Sequence, residues 1–511
     1  MLNPTPVFQN SYQSRSVLPL TVDAPAVVPA TRPETMPVTL LALMLMVFGI
    51  GVVLAIQDTW LNLSFDDFAF CISLCAVVCL LCTARLIKGG VSSAPFVFLV
   101  IFSVFHFGAL VIFGLGIPFS DAQNYTLQQW FFSSDTQLGG YLSLLGLLGA
   151  TLGVFLGQIK FGTGQRQVFP VLVSSDRLAG LLGIVILGTC LAAWFGSVWA
   201  AGGSSIFTGS YESFLLATSD TNLSWLYFGI GFGLVWLACT TEKRIKQAGL
   251  GAFIAWALIA LPLGLRGEVL FPGVTYWVLS RRSGTQKSVW KMAILGLCLL
   301  SIISALRVIR EVGVENVQLA SLTASPSEAM VELGSSLRPV STVVTWTENG
   351  DEFLNGASYW APIDRALVWV IPGWGRVSAE DDDRILNVQV MKRVGPIGFS
   401  PVAEAYYNFG PLGVVIAMMI TGWLIGWISG FADSPLNRAL LGVTFLPVLI
   451  QIRNSFVAVP FQLIVGLATV WMIYWLCGWI SYRKSLVEPS ILTSDQKKYK
   501  PSASSQTSRL S

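Results

Sequence analysis

The sequence predicts an all-α polytopic membrane protein with about 12 transmembrane segments. Of its 511 residues, 54% are hydrophobic and only 12% are charged, whereas soluble domains carry roughly 25% charged residues. Apolar runs of about 20 residues recur, and each is long enough as a helix to cross a hydrocarbon core of roughly 30 Å. These observations exclude a soluble globular fold. The formal net charge of +3 is too small to indicate a nucleic-acid partner.

Charges between the apolar runs predict the topology of the first half of the chain. Six runs occupy residues 37–57, 68–86, 94–119, 138–157, 178–200 and 223–239. The loops after the second, fourth and sixth runs contain Lys and Arg, whereas the alternate loops contain only acidic charges. By the positive-inside rule, the basic loops and the N-terminus are cytoplasmic. Residues 1–36 are rich in proline, lack a signal-peptide pattern and are expected to form a disordered cytoplasmic arm.

The next apolar stretch, residues 250–280, is predicted to be a broken hairpin. Basic residues flank both of its ends, so both ends are expected on the cytoplasmic side. Two prolines and three glycines interrupt its middle, which predicts two half-length helices instead of one span. Arg266 and Glu268 then lie at the tip of the hairpin, near the outer face.

The rest of the chain predicts one large extracytoplasmic loop. A span ending at residue 308 completes transmembrane segments 1–9 within residues 37–308, and segments 10–12 follow within residues 412–480. Residues 309–408 between them form the extracytoplasmic loop domain. Residues 481–511 contain basic residues and are expected to be a disordered cytoplasmic tail.

Cysteine and histidine usage predicts neither a disulfide framework nor a metal site. All eight cysteines fall within or at the ends of predicted spans, and the large loop has none. The sequence contains a single histidine, His106, which disfavours a zinc site. The acidic run from Glu380 to Asp383 offers oxygen ligands for a divalent cation, but a solvated acidic turn is the better interpretation.

The large loop is unexpectedly rich in arginine for an outward-facing segment. It holds six Arg, one Lys and thirteen carboxylates, and Arg266, Arg307 and Arg453 are predicted at the same membrane edge. Guanidinium groups match phosphate oxygens and stay charged when partly desolvated. The alternative is that these arginines form structural salt bridges with the carboxylates. This alternative is weaker for Arg266 and Arg453, because charges between apolar helices are usually functional.

Two short helices are predicted in the loop. Ser325 to Glu328 has the pattern of a capping box that starts one helix, with Pro339 expected to end it. Ser400 and Pro401 start the second helix, which Gly410 and Pro411 are expected to stop. The second helix carries a carboxylate, a phenol and an amide on one face, a set suited to binding a sugar and removing a hydroxyl proton. These residues are Glu404, Tyr407 and Asn408. A solvated helix face is the alternative.

Aromatic residues at 356–376 are suited to stacking on sugar rings. They include Tyr359 and Trp360, followed by Arg365. The same composition is suited to the headgroup layer, where Trp and Tyr concentrate.

The second half of the sequence resembles the Wzy-type oligosaccharide repeat-unit polymerases of bacterial surface polysaccharides. This family includes O-antigen and exopolysaccharide polymerases. The resemblance rests on the broken hairpin with Arg266-Gly-Glu268, the large loop containing Glu332-Leu-Gly-Ser-Ser, and the block from Gly398 to Gly410 that leads into the next span. It covers the chain from about residue 250 to the last span, and the first six spans match only in being hydrophobic helices.

The resemblance implies a fold similar to that of C-type glycosyltransferases and a metal-independent transferase without a cofactor. The growing glycan moves from its undecaprenyl diphosphate carrier to a new lipid-linked repeat unit at the outer leaflet of the inner membrane. Implied catalytic residues are Arg266, Glu404 as general base and Glu332 as the alternative base. Implied substrate-binding residues are Glu268, Arg310, Arg338, Tyr359, Arg365, Tyr407, Asn408 and Arg453.

Three other functions stay open at this point. A ligase that attaches finished glycan to an outer-leaflet acceptor would use the same parts. A lipid-linked glycan flippase or other transporter would place charges near the membrane centre and often show related halves. A noncatalytic assembly protein is the third. The expected partners are undecaprenyl-diphosphate-linked oligosaccharides and membrane lipids, with a chain-length regulator and a flippase in addition, and both termini are expected in the cytoplasm.

Overall fold

The protein is described here by a computed structural model, and the described residues are helical without a β-strand. They are residues 35–159, 175–281, 289–312, 325–367, 371, 375, 377–431 and 433–487. The predicted N-terminal arm and most of the predicted C-terminal tail lie outside them.

The α-helices of the described residues are labelled in chain order. Their bounds are α1 (Thr35–Ala55), α2 (Gln57–Leu61), α3 (Phe65–Leu86), α4 (Ala94–Gly114), α5 (Asp121–Leu127), α6 (Ser134–Gln158), α7 (Ser175–Gly202), α8 (Tyr211–Ala217), α9 (Ser224–Cys239), α10 (Lys243–Ala260), α11 (Arg266–Leu279), α12 (Val289–Val312), α13 (Pro326–Gly334), α14 (Arg338–Glu348), α15 (Ala357–Leu367), α16 (Leu386–Arg393), α17 (Pro401–Ile428), α18 (Pro435–Gln451) and α19 (Val459–Val487).

Six segments of the described residues are long and apolar enough to cross a membrane, which identifies a multi-pass membrane protein. They are Phe65–Leu86, Ala94–Gly114, Ser134–Gln158, Asp176–Phe207, Pro401–Ile428 and Phe456–Ile480. Four shorter apolar helices, Leu43–Ala55, Ser224–Cys239, Gly296–Leu306 and Pro435–Gln451, accompany them. These helices and the two arms of the hairpin match the positions of the predicted segments, but the count of twelve and the sidedness of the large loop stay predictions.

The stretch at residues 250–280 folds as two helices joined by a short turn. α10 ends at Ala260, and α11 starts at Arg266. Gly264 has a left-handed backbone (φ +85°) and an added Cβ there would lie 2.5 Å from the Tyr211 ring, so both the turn and the packing require glycine. Pro272, one of the two prolines expected to interrupt a continuous helix in this stretch, lies inside α11. The interruption is therefore at the turn alone.

Helices α6 and α17 pack closely against each other through small residues. Gly149, Gly153 and Gly157 recur every four residues on the face of α6 that meets α17. A Cβ at Gly149 would lie 2.6 Å from the carbonyl oxygen of Val415. Glycine at this spacing lets helix backbones approach closely in membranes.

Within the described part of the region predicted as the large loop lie the end of α12, the helices α13 to α16 and the start of α17. Ser325 precedes α13 as expected, but its side chain does not cap the helix; its hydroxyl instead lies 2.7 Å from that of Ser327. Pro339 does not end a helix either. It lies in the first turn of α14, where a missing N–H costs no hydrogen bond.

The predicted helix at Ser400 begins as expected and continues further than expected. The Ser400 hydroxyl accepts a hydrogen bond from the backbone N–H of Val402 (3.1 Å). Gly410 is non-helical (φ 67°, ψ −162°), so it introduces the predicted break. Pro411 then starts the helix again, because proline is tolerated in a first turn, and α17 extends to Ile428.

Candidate active site

A cavity of about 880 Å³ lies between the hairpin turn, α13 and the turn that joins α18 to α19. Four arginines line it: Arg266, Arg310, Arg338 and Arg453. Two carboxylates, Glu268 and Glu332, line it as well. Six of the eleven residues predicted for the site are therefore brought into one cavity.

One carboxylate holds two of the arginines together. Oε1 of Glu332 lies 2.7 Å from Nη1 of Arg266 and 3.2 Å from Nη2 of Arg310. The Arg310 guanidinium also lies 5.7 Å from the centre of the Tyr211 ring. Glu332 thus fixes a pair of guanidinium groups on the wall formed by α11, α12 and α13.

Two of the four arginines have groups that the described residues leave available. Arg266 is buried, and its Nε and Nη2 have no hydrogen-bond partner among the described residues. The guanidinium of Arg453 is half-buried, forms no ion pair within the described part of the chain and lies 5.8 Å from the centre of the Phe105 ring. Buried donors of this kind are costly unless a ligand satisfies them.

The surroundings of Arg453 affect the pKa of its guanidinium in two opposite directions. Burial lowers the pKa of its guanidinium from the ordinary value, while the nearby carboxylates of Glu268 and Glu332 raise it. Because an arginine pKa starts above about 12, the side chain stays cationic at neutral pH. Burial also lowers the pKa of Arg338, by the same physical cause.

Three hydrogen bonds hold the turn that carries Arg453. The carbonyl oxygen of Arg453 accepts from the N–H of Phe399 (3.0 Å). The N–H of Ser455 donates to Oδ1 of Asn387 (3.1 Å), and the N–H of Phe456 donates to Oε2 of Glu404 (2.6 Å). The position of Arg453 therefore depends on α16, on α17 and on the segment before α17.

Glu404, predicted as the general base, is not among the residues that line the cavity. It is 1% exposed. Its Oε1 accepts a hydrogen bond from the Ser358 hydroxyl (2.8 Å), and its Oε2 accepts the bond from Phe456. Both oxygens of this buried carboxylate are thus engaged in hydrogen bonds within the protein. Tyr407 and Asn408, predicted on the same helix face, are buried as well.

The other predicted sugar-binding residues also lie away from the cavity lining. The amide of Asn408 donates to the Ser358 hydroxyl (2.8 Å) and accepts from the N–H of Gly356 (3.0 Å). The Tyr407 hydroxyl donates to Asp351 (3.0 Å). These bonds use the polar groups of the predicted sugar-binding face to attach residues 351–358 to α17.

Tyr359 and Arg365 both lie in α15, and neither lines the cavity. The Tyr359 ring stacks on Phe409, with centroids 6.1 Å apart and planes 4° apart. Burial and the neighbouring Glu404 carboxylate raise the pKa of the Tyr359 hydroxyl. Arg365 donates to the carbonyl oxygen of Val377 (3.2 Å) and pairs with Asp382 (3.5 Å). For Arg365, the structure favours the salt-bridge alternative.

Several cavity residues were not identified from the sequence. They are neutral polar groups around the arginines: Gln123, Tyr211, Asn387, Gln451, Asn454 and Gln462. Gln451 and Gln462 lie inside apolar segments, where a polar side chain is a signal of function. Gln123 and Tyr211 lie in polar connections and give no such signal.

The acidic run at 380–383 and His106, which the sequence offers as metal ligands, lie among the described residues. Within them, no group of three or more His, Cys, Asp or Glu side chains is placed to hold a metal ion. The Asp382 carboxylate instead accepts hydrogen bonds from Arg384, which lowers its pKa. His106 is buried, with Nε2 2.8 Å from the Ser400 hydroxyl.

Comparison with known proteins gives two matches. The family described as O-antigen polysaccharide polymerase Wzy matches residues 36–484. Protein CapE of Staphylococcus aureus is 30% identical over 210 residues, which are 41% of this chain and 46% of that protein. The chain thus spans about half the length of this curated relative. No solved structure matches the chain.

Proposed function

Because the chain belongs to the O-antigen polysaccharide polymerase Wzy family, we propose that it transfers a growing glycan from undecaprenyl diphosphate to a new lipid-linked repeat unit. The reaction takes place at the outer leaflet of the bacterial inner membrane, with both termini of the chain in the cytoplasm. The fold is of the C-type glycosyltransferase kind, and residues 309–408 face outward. A chain-length regulator and a flippase are proposed partners.

The observation that carries this proposal is the convergence of four arginines on one cavity. In the transfer, the bond between the anomeric carbon and the diphosphate oxygen breaks, and a bond from that carbon to an acceptor hydroxyl oxygen forms. The leaving diphosphate gains negative charge at the transition state. Guanidinium donors held in place before the reaction stabilise this charge, and the unused donors of Arg266 and Arg453 are available to do so.

We assign the neutralisation of the negative charge on the leaving diphosphate to the arginines, so the proposed transfer is metal-independent. Arg266 and Arg310 face the diphosphate from one wall, and Arg453 faces it from the turn between α18 and α19. The first turn of α11, with Gly267 and Glu268, also lines the cavity. A helix N-terminus adds favourable partial charge for a bound anion.

We assign Glu268 as the general base that removes the proton of the acceptor hydroxyl. This carboxylate lines the cavity and has no ion pair within 4 Å in the described part of the chain. Glu332, the alternative base of the sequence analysis, is held by Arg266 and Arg310, and both cations reduce its basicity. We therefore assign Glu332 to the positioning of the two arginines and Glu404 to the positioning of Arg453.

The proposal is tested with purified protein and two lipid-linked repeat units as the only substrates. Wild-type protein is expected to form a longer glycan on one carrier and to release undecaprenyl diphosphate. Arg266→Ala and Arg310→Ala are each expected to reduce kcat by about 10²–10³-fold, the typical effect of removing one charge-stabilising donor. Arg438→Ala is the matched control, since Arg438 pairs with Asp433 away from the cavity.

Two results would contradict the proposal. One is the absence of glycan transfer by the purified wild-type protein with intact substrates. The other is full activity of the Arg266→Ala and Arg310→Ala variants, which would mean that the arginine cavity does not serve the reaction.

A further inference from the structure

The lining of the cavity has an apolar part beside its cationic part, and this part is here called the apolar arm. It consists of residues from four helices: Phe228 of α9, Phe271 and Pro272 of α11, Leu446 of α18 and Val459 at the start of α19. The cavity therefore joins a surface suited to diphosphate with a surface suited to hydrocarbon.

A side chain of α9 reaches α19 at about half of the length of α9. A Cβ at Gly466 of α19 would lie 2.8 Å from the ring of Phe232 of α9. The absence of a side chain at Gly466 thus gives the Phe232 ring room to contact α19, and this contact bounds the space between the two helices at that point.

Nearer the cavity, an aromatic pair bridges α9 and α19. The rings of Trp225 and Phe461 meet edge to face, with centroids 4.8 Å apart. Their sequence neighbours Ser224 and Gln462 line the cavity, whereas Trp225 is 52% and Phe461 is 46% exposed. The pair therefore stands in the wall between the cavity and the surroundings of the helices.

The side chain of Gln462 is a polar group at the space between α9 and α19. Oε1 of Gln462 is buried and has no hydrogen-bond partner among the described residues, although it lies within an apolar segment. Polar side chains in such segments are costly and mark sites of function. Its position next to the Trp225–Phe461 pair lets it accept a hydrogen bond from the polar head of a ligand that passes this space, but not from a hydrocarbon chain.

We infer that the slot between α9 and α19 is the lateral entrance through which the polyprenyl chain of the lipid-linked substrate reaches the cavity, with the Trp225–Phe461 pair as its gate. The inference rests on the proposed function. An amphiphile with a diphosphate head and a long hydrocarbon tail matches the cationic part and the apolar arm at once. The two exposed rings separate by side-chain rotation, which needs no change in the helices.

The first test maps the hydrocarbon tail. A polyprenyl diphosphate that carries a benzophenone group on its isoprenoid chain is photolysed with the full-length protein, and labelled peptides are identified by mass spectrometry. Labels are expected within residues 224–232 and 458–466, and excess undecaprenyl diphosphate is expected to suppress them. Suppressible labels confined to other helices would overturn the entrance and leave the proposed function intact. No binding of either lipid would instead contradict the proposed function.

The second test fills the slot. Gln462→Trp is expected to weaken binding of undecaprenyl diphosphate by roughly tenfold or more, because the apolar contacts of the tail are lost. Binding of inorganic pyrophosphate is expected to change less than about twofold, since the arginines are untouched. Ile464→Trp is the matched control on the exposed side of α19 and is expected to change neither.

Unchanged affinity of Gln462→Trp for the long-chain lipid would overturn the inference. If Gln462→Trp does not fold, Trp225→Ala and Phe461→Ala replace it. Each removes half of the gate and is expected to increase the association rate of undecaprenyl diphosphate severalfold without changing that of pyrophosphate. Equal association rates of undecaprenyl diphosphate for wild type and both variants would contradict the assignment of the Trp225–Phe461 pair as a gate.

Discussion

At the scale of single residues, the half-buried cation Arg453 is a group suited to a ligand. Its guanidinium lies in the protein without an ion pair in the described part of the chain, and burial lowers its pKa. A charge in this position costs stability in the empty protein. The site therefore trades stability for the ability to bind an anion.

Arg453→Met is expected to separate these two effects. Replacing a half-buried cation that has no ion pair among the described residues with an apolar side chain of similar length is expected to increase the free energy of unfolding by about 1–3 kcal/mol. The same change is expected to reduce kcat by about 10²–10³-fold. Thermal unfolding in detergent and the transfer assay measure the two effects. A loss of thermal stability in Arg453→Met would contradict this account.

Glu268 and Glu404 are expected to differ in their pH profiles. Glu268→Gln removes the proposed base and is expected to lower kcat by about 10²–10⁴-fold and to remove the acidic limb of the profile. Glu404→Gln disturbs the bonds to Ser358 and Phe456, because an amide N–H₂ cannot accept them. It is expected to raise KM through displacement of Arg453 and to keep the acidic limb. Loss of that limb in Glu404→Gln alone would restore Glu404 as the base.

The sequence signals behind the predicted cations and behind Glu404 differ in what they can determine. Arg266 and Arg453 were identified because charges between apolar helices are rare, and both line the cavity. Glu404 and Asn408 were identified by helical spacing, which defines a face but not its contacts. Both are buried against residues 351–358 and Phe456, and that packing depends on segments distant in sequence.

At the scale of elements, the glycines of α6 determine how closely α17 can approach. An added Cβ at Gly153 would overlap the carbonyl oxygen of Met419. Gly153→Leu is therefore expected to separate the two helices and to destabilise the protein by about 3 kcal/mol or more, with little folded protein in the membrane. Gly188→Leu on α7 is the matched control, because nothing lies within 4 Å of its added Cβ. Equal folded amounts of both variants, measured by fluorescence size exclusion, would contradict this role of α6.

Elements were predictable where one strong local signal decides the structure. Gly410 breaks α17 and Ser400 caps it, because a left-handed backbone and an N-cap hydroxyl are local properties. Pro339 and Pro272 were misinterpreted as interruptions. Each is accommodated in a helix, since proline disrupts a helix only where an N–H is needed or the preceding turn has no room.

At the scale of the whole molecule, the cavity is assembled from both halves of the chain. Gln123 and Trp130 of the first half line it together with Gln462 of the last helix. The Gln123 amide also donates to the carbonyl oxygen of Glu328 at the start of α13 (3.2 Å). The first six spans were not expected to contribute to the site, because they lack the charged residues that identify the second half of the chain.

The sidedness of the molecule decides whether this cavity meets the outer leaflet. Two exposed glutamates form a matched pair for the test: Glu352, before α15, and Glu242, before α10. Glu352→Cys is expected to react with a membrane-impermeant maleimide in intact spheroplasts, whereas Glu242→Cys is expected to react only after lysis, since its loop contains Lys243 and Arg244. Labelling of the unsubstituted protein accounts for the native cysteines. The reverse pattern would place the arginine cavity at the cytoplasmic face, where glycan transfer at the outer leaflet is excluded.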